Sequence, residues 1–270
     1  MSLLYSRIAE SRRDADADAY ILLVQAAGGT VTAAQRDRIN DFIRGEKIAS
    51  RWDSIKRLYL PIWGVAAANA ICLRSLTSGT FVGTVTHATG YIQSNGSTGY
   101  LNTNTNFVTQ GLSASNGLMF ALTILNATQD FKCFLGAGAG TSEIVLMHRT
   151  FPRLDARYAG LGNGFISLNI ASNTGVATFS RISGTRRLTV RKTGGLTSHS
   201  ITSADSGTIP SSNVLAMAIN NVNSGVTAAL ISDARFGAVG FGLGLTSAAT
   251  DAFTLALKNL WEGTTGLTLP

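Results

Sequence analysis

Between Arg181 and Lys192 the chain reads RISGTRRLTVRK, its densest run of positive charge. Strand alternation sends Leu188 and Val190 one way and Arg187, Thr189 and Arg191 the other. Arg187 and Arg191 are therefore expected on one exposed face, with Arg181 nearby. Guanidinium groups grip anions through paired N–H donors, which makes an acidic polysaccharide or a phosphate-bearing lipid headgroup the functional reading of this face. The plain alternative is a solvated strand face whose charges discourage edge pairing. No aromatic residue is interleaved with these arginines, which speaks against binding of single-stranded nucleic acid.

Hydrolysis of a glycan needs two carboxylates facing each other across a cleft. Beyond residue 63 the acids are Asp130, Glu143, Asp155, Asp205, Asp233, Asp251 and Glu262. No two lie two or four residues apart on a strand, the spacing that aims both into one cleft. A pair built from distant strands stays open. His87, His148 and His199 are far apart and lack metal-ligand spacing. GAGAG at 136–140 and GLGNG at 160–164 read as wide turns, because neither opens a helix with a following Lys-Ser/Thr. Cys72 and Cys133 are the only cysteines, each in an apolar run, and read as buried free thiols. Calcium often binds sandwiches through clustered Asp and Asn; the Asp residues here are scattered and do not support it. No catalytic set, metal or cofactor is expected.

The elements that must position these groups follow from composition and period. Charged residues make up 14% of the chain and glycine supplies 29 of 270 residues, a balance that favours strands and tight turns. The net charge is +7, which attracts anionic partners or only aids solubility. Residues 1–63 hold ten Lys/Arg and eight Asp/Glu, while 64–270 hold twelve and seven, so a charge-dense segment precedes a charge-poor one.

Three short helices are expected over 14–63. The first carries Ala17, Tyr20, Ile21 and Val24 on one face and stops at Gly28-Gly29. The second opens on a Thr32/Gln35 capping box and ends near Gly45. The third places Trp52, Ile55, Leu58 and Tyr59 together and ends at Pro61. From about Ala66 the period shortens. ICLRSL, FVGTV, GLMFALTIL, EIVLMHR, GFISLNI, VATFSRI, RRLTVRK, VLAMAIN and VTAALI read as strands separated by turns, which indicates an antiparallel sandwich or barrel. In THATGYIQSNGSTGYLNTNTNF, Tyr91-Ile92 and Tyr100-Leu101 flank turns built on Asn and Gly. A closing helix carries Phe253, Leu257, Leu260 and Trp261 on one stripe, with Gly263 at its expected end. No apolar run approaches a membrane span, and the first twenty residues lack the apolar core of a secretion signal.

Three stretches resemble tailed-phage and prophage virion structural proteins. DADAYILLVQAAGGTVTAAQRDRINDFIRG with IASRWDSIKRLYLPIWG resembles their helical leader. GTVTHATGYIQSNGSTGYLNTNTNF resembles the segment that follows, and LGLTSAATDAFTLALKNLWEGTTGL resembles the closing helix. Where that pattern often has Asp after its Tyr, this chain has Asn102, which leaves any metal role of that position without its carboxylate. The resemblance implies a mainly β protein: a concanavalin-A/laminin-G-like jelly-roll sandwich with a small helical N-terminal region and a C-terminal helix. The division expected is an anchor arm over 1–13, helices over 14–63, sandwich over 64–246 and terminal helix over 247–270.

The resemblance further implies a fibre or adhesin on the virion surface, without enzymatic activity, made in the host cytoplasm without a signal peptide. Its expected partners are other virion proteins, further copies of itself as a trimer, and a host surface polysaccharide, with no nucleic acid and no membrane insertion. Tyr91, Tyr100, Phe151 and Tyr158 are candidate sugar platforms beside the arginine face. Leu3, Leu4, Tyr5 and Ile8 are candidate virion-anchoring residues. A purely structural head or tail decoration or adaptor protein is the alternative, and a glycan-cleaving enzyme the third reading.

Overall fold

The structure, a computed structural model, describes residues 13–128, 131–138, 143–149, 153–158, 164–170, 172, 174–203, 207–221 and 227–270. In chain order the helices are α1 (Ala15–Ala26), α2 (Ala33–Ile48), α3 (Ala66–Asn69) and α4 (Ser247–Thr265). The strands are β1 (Ile55–Tyr59), β2 (Thr80–Val82), β3 (Val85–Ala88), β4 (Tyr91–Ser94), β5 (Tyr100–Asn102), β6 (Asn116–Leu125), β7 (Lys132–Ala137), β8 (Ile144–Arg149) and β9 (Arg153–Arg157). They continue as β10 (Ile166–Asn169), β11 (Gly175–Ile182), β12 (Thr185–Lys192), β13 (Gly195–Thr202), β14 (Leu215–Ala216), β15 (Ile219–Asn220), β16 (Ala228–Ala229) and β17 (Arg235–Gly242).

The local signals act as their chemistry requires. Asp14 caps α1 by accepting from the Asp16 N–H, and the helix stops just before Gly28, whose φ of +86° suits only glycine well. At α2 the Thr32 hydroxyl accepts from the Gln35 N–H while the Gln35 amide oxygen accepts from the Thr32 N–H, a closed capping box. This helix runs through Gly45 to Ile48 rather than ending at the glycine. The third expected helix does not form. Trp52–Ser54 is a 3₁₀ turn and Ile55–Tyr59 is strand β1. The reason is tertiary: β1 finds the edge of β17, whose glycines admit it. A Cβ on Gly240 would lie 2.1 Å from the Arg57 carbonyl oxygen, and one on Gly242 would lie 2.0 Å from that of Ser54. ICLRSL is likewise not a strand; Ile71 and Cys72 make only isolated bridges, to Ser78 and Tyr59.

The remaining strands form two sheets of a mainly antiparallel sandwich, one of the two forms the strand pattern indicates, with the jelly-roll character that the resemblance implies. One sheet runs β13-β12-β11-β6-β17-β4-β3, with β1 also on β17. The other runs β10-β9-β8-β7-β14-β5-β2, with β15 beside β7 and β16 beside β15. The SNGSTG turn joins β4 in the first sheet to β5 in the second. Its bend is fixed by Asn95, whose side-chain oxygen accepts from the N–H groups of Ser97, Thr98 and Gly99.

Two cores lie on opposite faces of the first sheet. Between the sheets, Met119, Phe179, Phe236 and Phe241 meet Phe134, Leu146 and Leu154. On the outer face, Leu118, Phe120, Leu122, Val176 and Ala238 meet Tyr20, Phe42, Phe253, Leu257 and Trp261 from the helices. A sheet covered on both sides needs apolar residues on both sides, which is why β6 is apolar throughout Leu118–Leu122. Helix α4 is the main cover. The Trp261 indole N–H donates to the Gly90 carbonyl at 2.9 Å, and Phe253 meets Phe120 edge-on with ring centroids 5.0 Å apart. The helix ends at Gly266, in the left-handed region with φ +71°, three residues beyond the expected Gly263. Gly263 instead leaves room for Arg38, whose Cδ lies 3.0 Å from where a Cβ would be.

Two glycine substitutions should therefore differ in sign. A Cβ on Gly237 would sit 2.2 Å from the Trp261 Nε1, so Gly237→Ala should cost about 1–3 kcal/mol in urea unfolding. A Cβ on Gly45 would meet nothing within 4 Å, and Gly45→Ala should stabilise by about 0.5–1 kcal/mol in the same assay.

Candidate functional site

Strand β12 alternates as expected. Leu188 and Val190 enter the inter-sheet core, and Arg187, Thr189 and Arg191 face the other way. That other side is not open. Helix α4 lies across it, so the face expected to be exposed is a half-buried strand–helix clamp. The Arg187 Nη2 donates to both Asp251 carboxylate oxygens at 2.8 Å, and its Nη1 reaches the Ser200 hydroxyl at 3.2 Å. The Arg191 Nε donates to the Thr254 hydroxyl at 3.3 Å and its Nη2 to the Asp251 carbonyl at 3.2 Å. The fork of each guanidinium is thus engaged by the protein.

Arg181 lies on the opposite face of the sheet, at the end of the inter-sheet core, and is fully buried. Its Nη1 donates to the Tyr158 carbonyl at 3.2 Å. Tyr158 is also fully buried, stacked on Phe179, with its hydroxyl donating to the Asn116 carbonyl at 3.0 Å. Burial pushes its phenol well above the ordinary value. Neither residue can meet an external sugar in this arrangement, because both are enclosed by the sandwich. Tyr91 is half-buried and already carries the Arg235 guanidinium 4.7 Å from its ring centroid. Tyr100 is half-buried against Leu215, Ala218 and Ile231. The six tyrosine and arginine candidates do not converge on one site: Arg181 meets Tyr158 inside the sandwich, and Arg187 and Arg191 meet α4 on the other side of the sheet. Phe151 and the anchor candidates Leu3, Leu4, Tyr5 and Ile8 lie outside the described residues.

The carboxylates are individually held. Glu143 accepts from Arg157 at 2.6 Å, Asp155 from Arg153 at 2.6 Å, and Glu262 from Lys258 at 2.5 Å. Asp233 accepts from the Thr128 N–H at 3.0 Å and from the Thr128 hydroxyl. Asp130 and Asp205 lie outside the described residues. His87 is lowered below its ordinary pKa by burial, and its Nδ1 accepts from the Asn69 amide at 3.2 Å. Cys72 and Cys133 are buried free thiols, and burial pushes the Cys133 thiol up. Among the described residues, no three His, Cys, Asp or Glu side chains are placed to hold a metal ion, and no helix is long and apolar enough to cross a membrane.

Sequence reasoning missed two features. One is a cleft of about 260 Å³ between α2 and α4, walled by Arg38, Asp41, Arg51 and Asn259 over Phe42 and Leu260. Its two walls are more than two hundred residues apart in sequence, so only the fold joins them. The one available signal was Gly45, a glycine inside a helix. The other feature is strand β13. Among the described residues it pairs only with β12, and most of its residues are exposed.

No protein-family model matches the sequence, and no curated protein matches it. Solved structures give partial likenesses. The CBM40 of the Ruminococcus gnavus IT-sialidase is 12% identical with a TM-score of 0.42, covering 66% of this chain and 97% of that one. A full-length tailspike protein from an Escherichia coli O157:H7 bacteriophage is 14% identical with a TM-score of 0.40, covering 64% and 25%. The Ca2+/Man2-bound exoplasmic/lumenal domain of VIP36 is 11% identical with a TM-score of 0.41, covering 71% and 88%. Likenesses this loose carry no function over to this chain.

If Arg187 serves the fold, it must be coupled to Asp251. Arg187→Ala and Asp251→Ala should each destabilise, and their double-mutant cycle in urea should give a coupling of about 1–2 kcal/mol. Additivity within about 0.3 kcal/mol would return Arg187 to the pool of residues free for a ligand.

Proposed function

We propose that the chain is a non-enzymatic structural protein of a tailed-phage virion, of the fibre or adhesin type. In this reading it assembles with copies of itself, as a trimer, and recognises a host surface polysaccharide. The virion assignment rests on the sequence resemblance. The structural observation that favours self-assembly is the edge of β13.

Among the described residues, no strand pairs with the outer side of β13. Gly195–Thr202 reads GLTSHSIT, eight residues without a formal charge or a proline. The Ser203 N–H donates to the Gly184 carbonyl at 2.8 Å, which fixes the phase of the β12–β13 ladder. Every second residue of an antiparallel strand bonds inward, so the backbone groups of Leu196, Ser198, Ser200 and Thr202 point away from β12. Edge strands ordinarily carry lysine, proline or a bulge to prevent association. The arginines of this region lie on β12, one strand further in, and do not guard the edge. A neighbouring copy can therefore add a strand here through main-chain hydrogen bonds, and a contact that is not self-complementary forms a ring when its rotation closes.

Glycan recognition fits a described surface dominated by hydroxyl and amide groups, with the arginines of β12 turned inward. Light scattering on the full chain is expected to give three times the 28.3 kDa chain mass. Ser198→Pro should yield a folded monomer, because the N–H it deletes points outward, where proline is tolerated. A wild-type monomer at every concentration, or an oligomer indifferent to Ser198→Pro, would remove the support of this edge. Gold-labelled antibody on tail ends or fibres would favour the adhesin; gold spread over the head would favour a decoration protein.

A further inference from the structure

The groove between α2 and α4 holds polar side chains that the fold does not use. Helix α2 presents Arg38, Asp41, Phe42 and Gly45 along one side, at the i, i+3, i+4, i+7 spacing of a single helical face. Helix α4 presents Ala256, Asn259 and Leu260 opposite. The nearby charges are taken: Lys47 by Asp14 and Asp16, Lys258 by Glu262, and Arg51 by the buried Glu46 at 2.7 Å. Arg38, Asp41 and Asn259 have no hydrogen-bond or ion-pair partner among the described residues. Three exposed polar side chains without a protein partner thus stand around one depression of about 260 Å³.

Gly45 supplies a second, independent observation. It sits inside α2 with ordinary helical backbone, and a Cβ there would meet nothing within 4 Å. Neither conformation nor packing asks for glycine, yet glycine costs a helix about 0.5–1 kcal/mol relative to alanine. The missing side chain leaves that side of the cleft unfilled. Gly263 acts from the other wall, where its bare backbone lets the Arg38 stem lie against α4.

We propose that this cleft is a subsite for one neutral sugar residue, a hexopyranose with vicinal hydroxyls. This rests on the glycan reading above and moves it from the sandwich to the helical layer. The charge of the lining cancels, Arg38 against Asp41 and Arg51 against Glu46. An anion approaching Arg38 meets the Asp41 carboxylate, and a cation approaching Asp41 meets the Arg38 guanidinium. A hydroxyl suits both, since it donates to the carboxylate and accepts from the guanidinium or the Asn259 amide. Phe42, Ala256 and Leu260 give the C–H face of a ring an apolar floor. The volume falls just below the usual lower bound of about 300 Å³ for ligand pockets, which fits one ring rather than a chain.

The test is saturation-transfer NMR on the full chain with the methyl α-glycosides of glucose, mannose and galactose. Wild type, Gly45→Leu and Asp41→Asn are compared, and thermal unfolding verifies that the variants fold. At least one sugar should receive transfer from wild type. Gly45→Leu fills the cleft and Asp41→Asn removes a charged acceptor, so each should weaken binding roughly tenfold or more. Undiminished transfer in Gly45→Leu would overturn the cleft while leaving glycan recognition elsewhere intact. No transfer from any of the three sugars to wild type would also overturn it. Failure to bind a panel of immobilised bacterial polysaccharides as well would take the glycan reading down with it.

Discussion

The contact on which the structure depends is the seating of helix α4 on the outer face of the first sheet. Trp261 is held by its bond to the Gly90 carbonyl, with the bare backbone of Gly237 beneath it. Phe253 packs on Phe120, and Arg187 ties Asp251 to the sheet through three hydrogen bonds. Burying a large apolar side chain is worth about 1.5–3 kcal/mol, so Phe253, Leu257, Leu260 and Trp261 together form a substantial seat. Because the sheet is covered here, its outer residues must be apolar or paired. Because α4 is fixed, α2 has a partner surface and α1 packs in turn. The amide of Gln35 at the start of α2 even bonds the Thr264 carbonyl near the end of α4, at 2.9 Å.

This arrangement changes what the positive charge can do. The arginine run that dominates the sequence is consumed by the fold. Arg187 and Arg191 clamp α4, while Arg181 and Arg186 sit buried at the end of the inter-sheet core. Guanidinium groups suit such work because one planar fork serves several acceptors at once. What the described surface offers outward is mostly neutral: an edge of Ser and Thr on β13, and a charge-balanced cleft between helices. Both favour partners recognised by hydrogen bonds over partners recognised by long-range attraction.

Much of the architecture was legible. The capping box at Thr32, the stop at Gly28 and the stripe of α4 each depend on local chemistry, and the structure keeps them. So does the alternation of β12. Sequence failed where a distant partner decided the outcome. Trp52–Tyr59 has a helical stripe, but the glycine-lined edge of β17 draws it into a sheet. Gly45 and Gly263 look like helix ends because glycine usually marks them; here both lie inside helices, for reasons of space on the far side of a groove. The arginine face failed for the same cause. Periodicity says which residues share a side, and it cannot say that a helix sixty residues later will cover that side. Arg38, Asp41 and Asn259 carried no local signal, since their meeting is a product of the fold.

The central claim is that the helical layer and the first sheet form one cooperative unit through α4. Native-state amide exchange tests it most directly. The account predicts that the slowest amides of α2, α4, β6 and β11 open with the same free energy, equal to global stability, and shift together in Phe253→Ala. If α1 and α2 open well below the sheet, and Phe253→Ala moves the helices alone, the helices are an appendage and the account is contradicted.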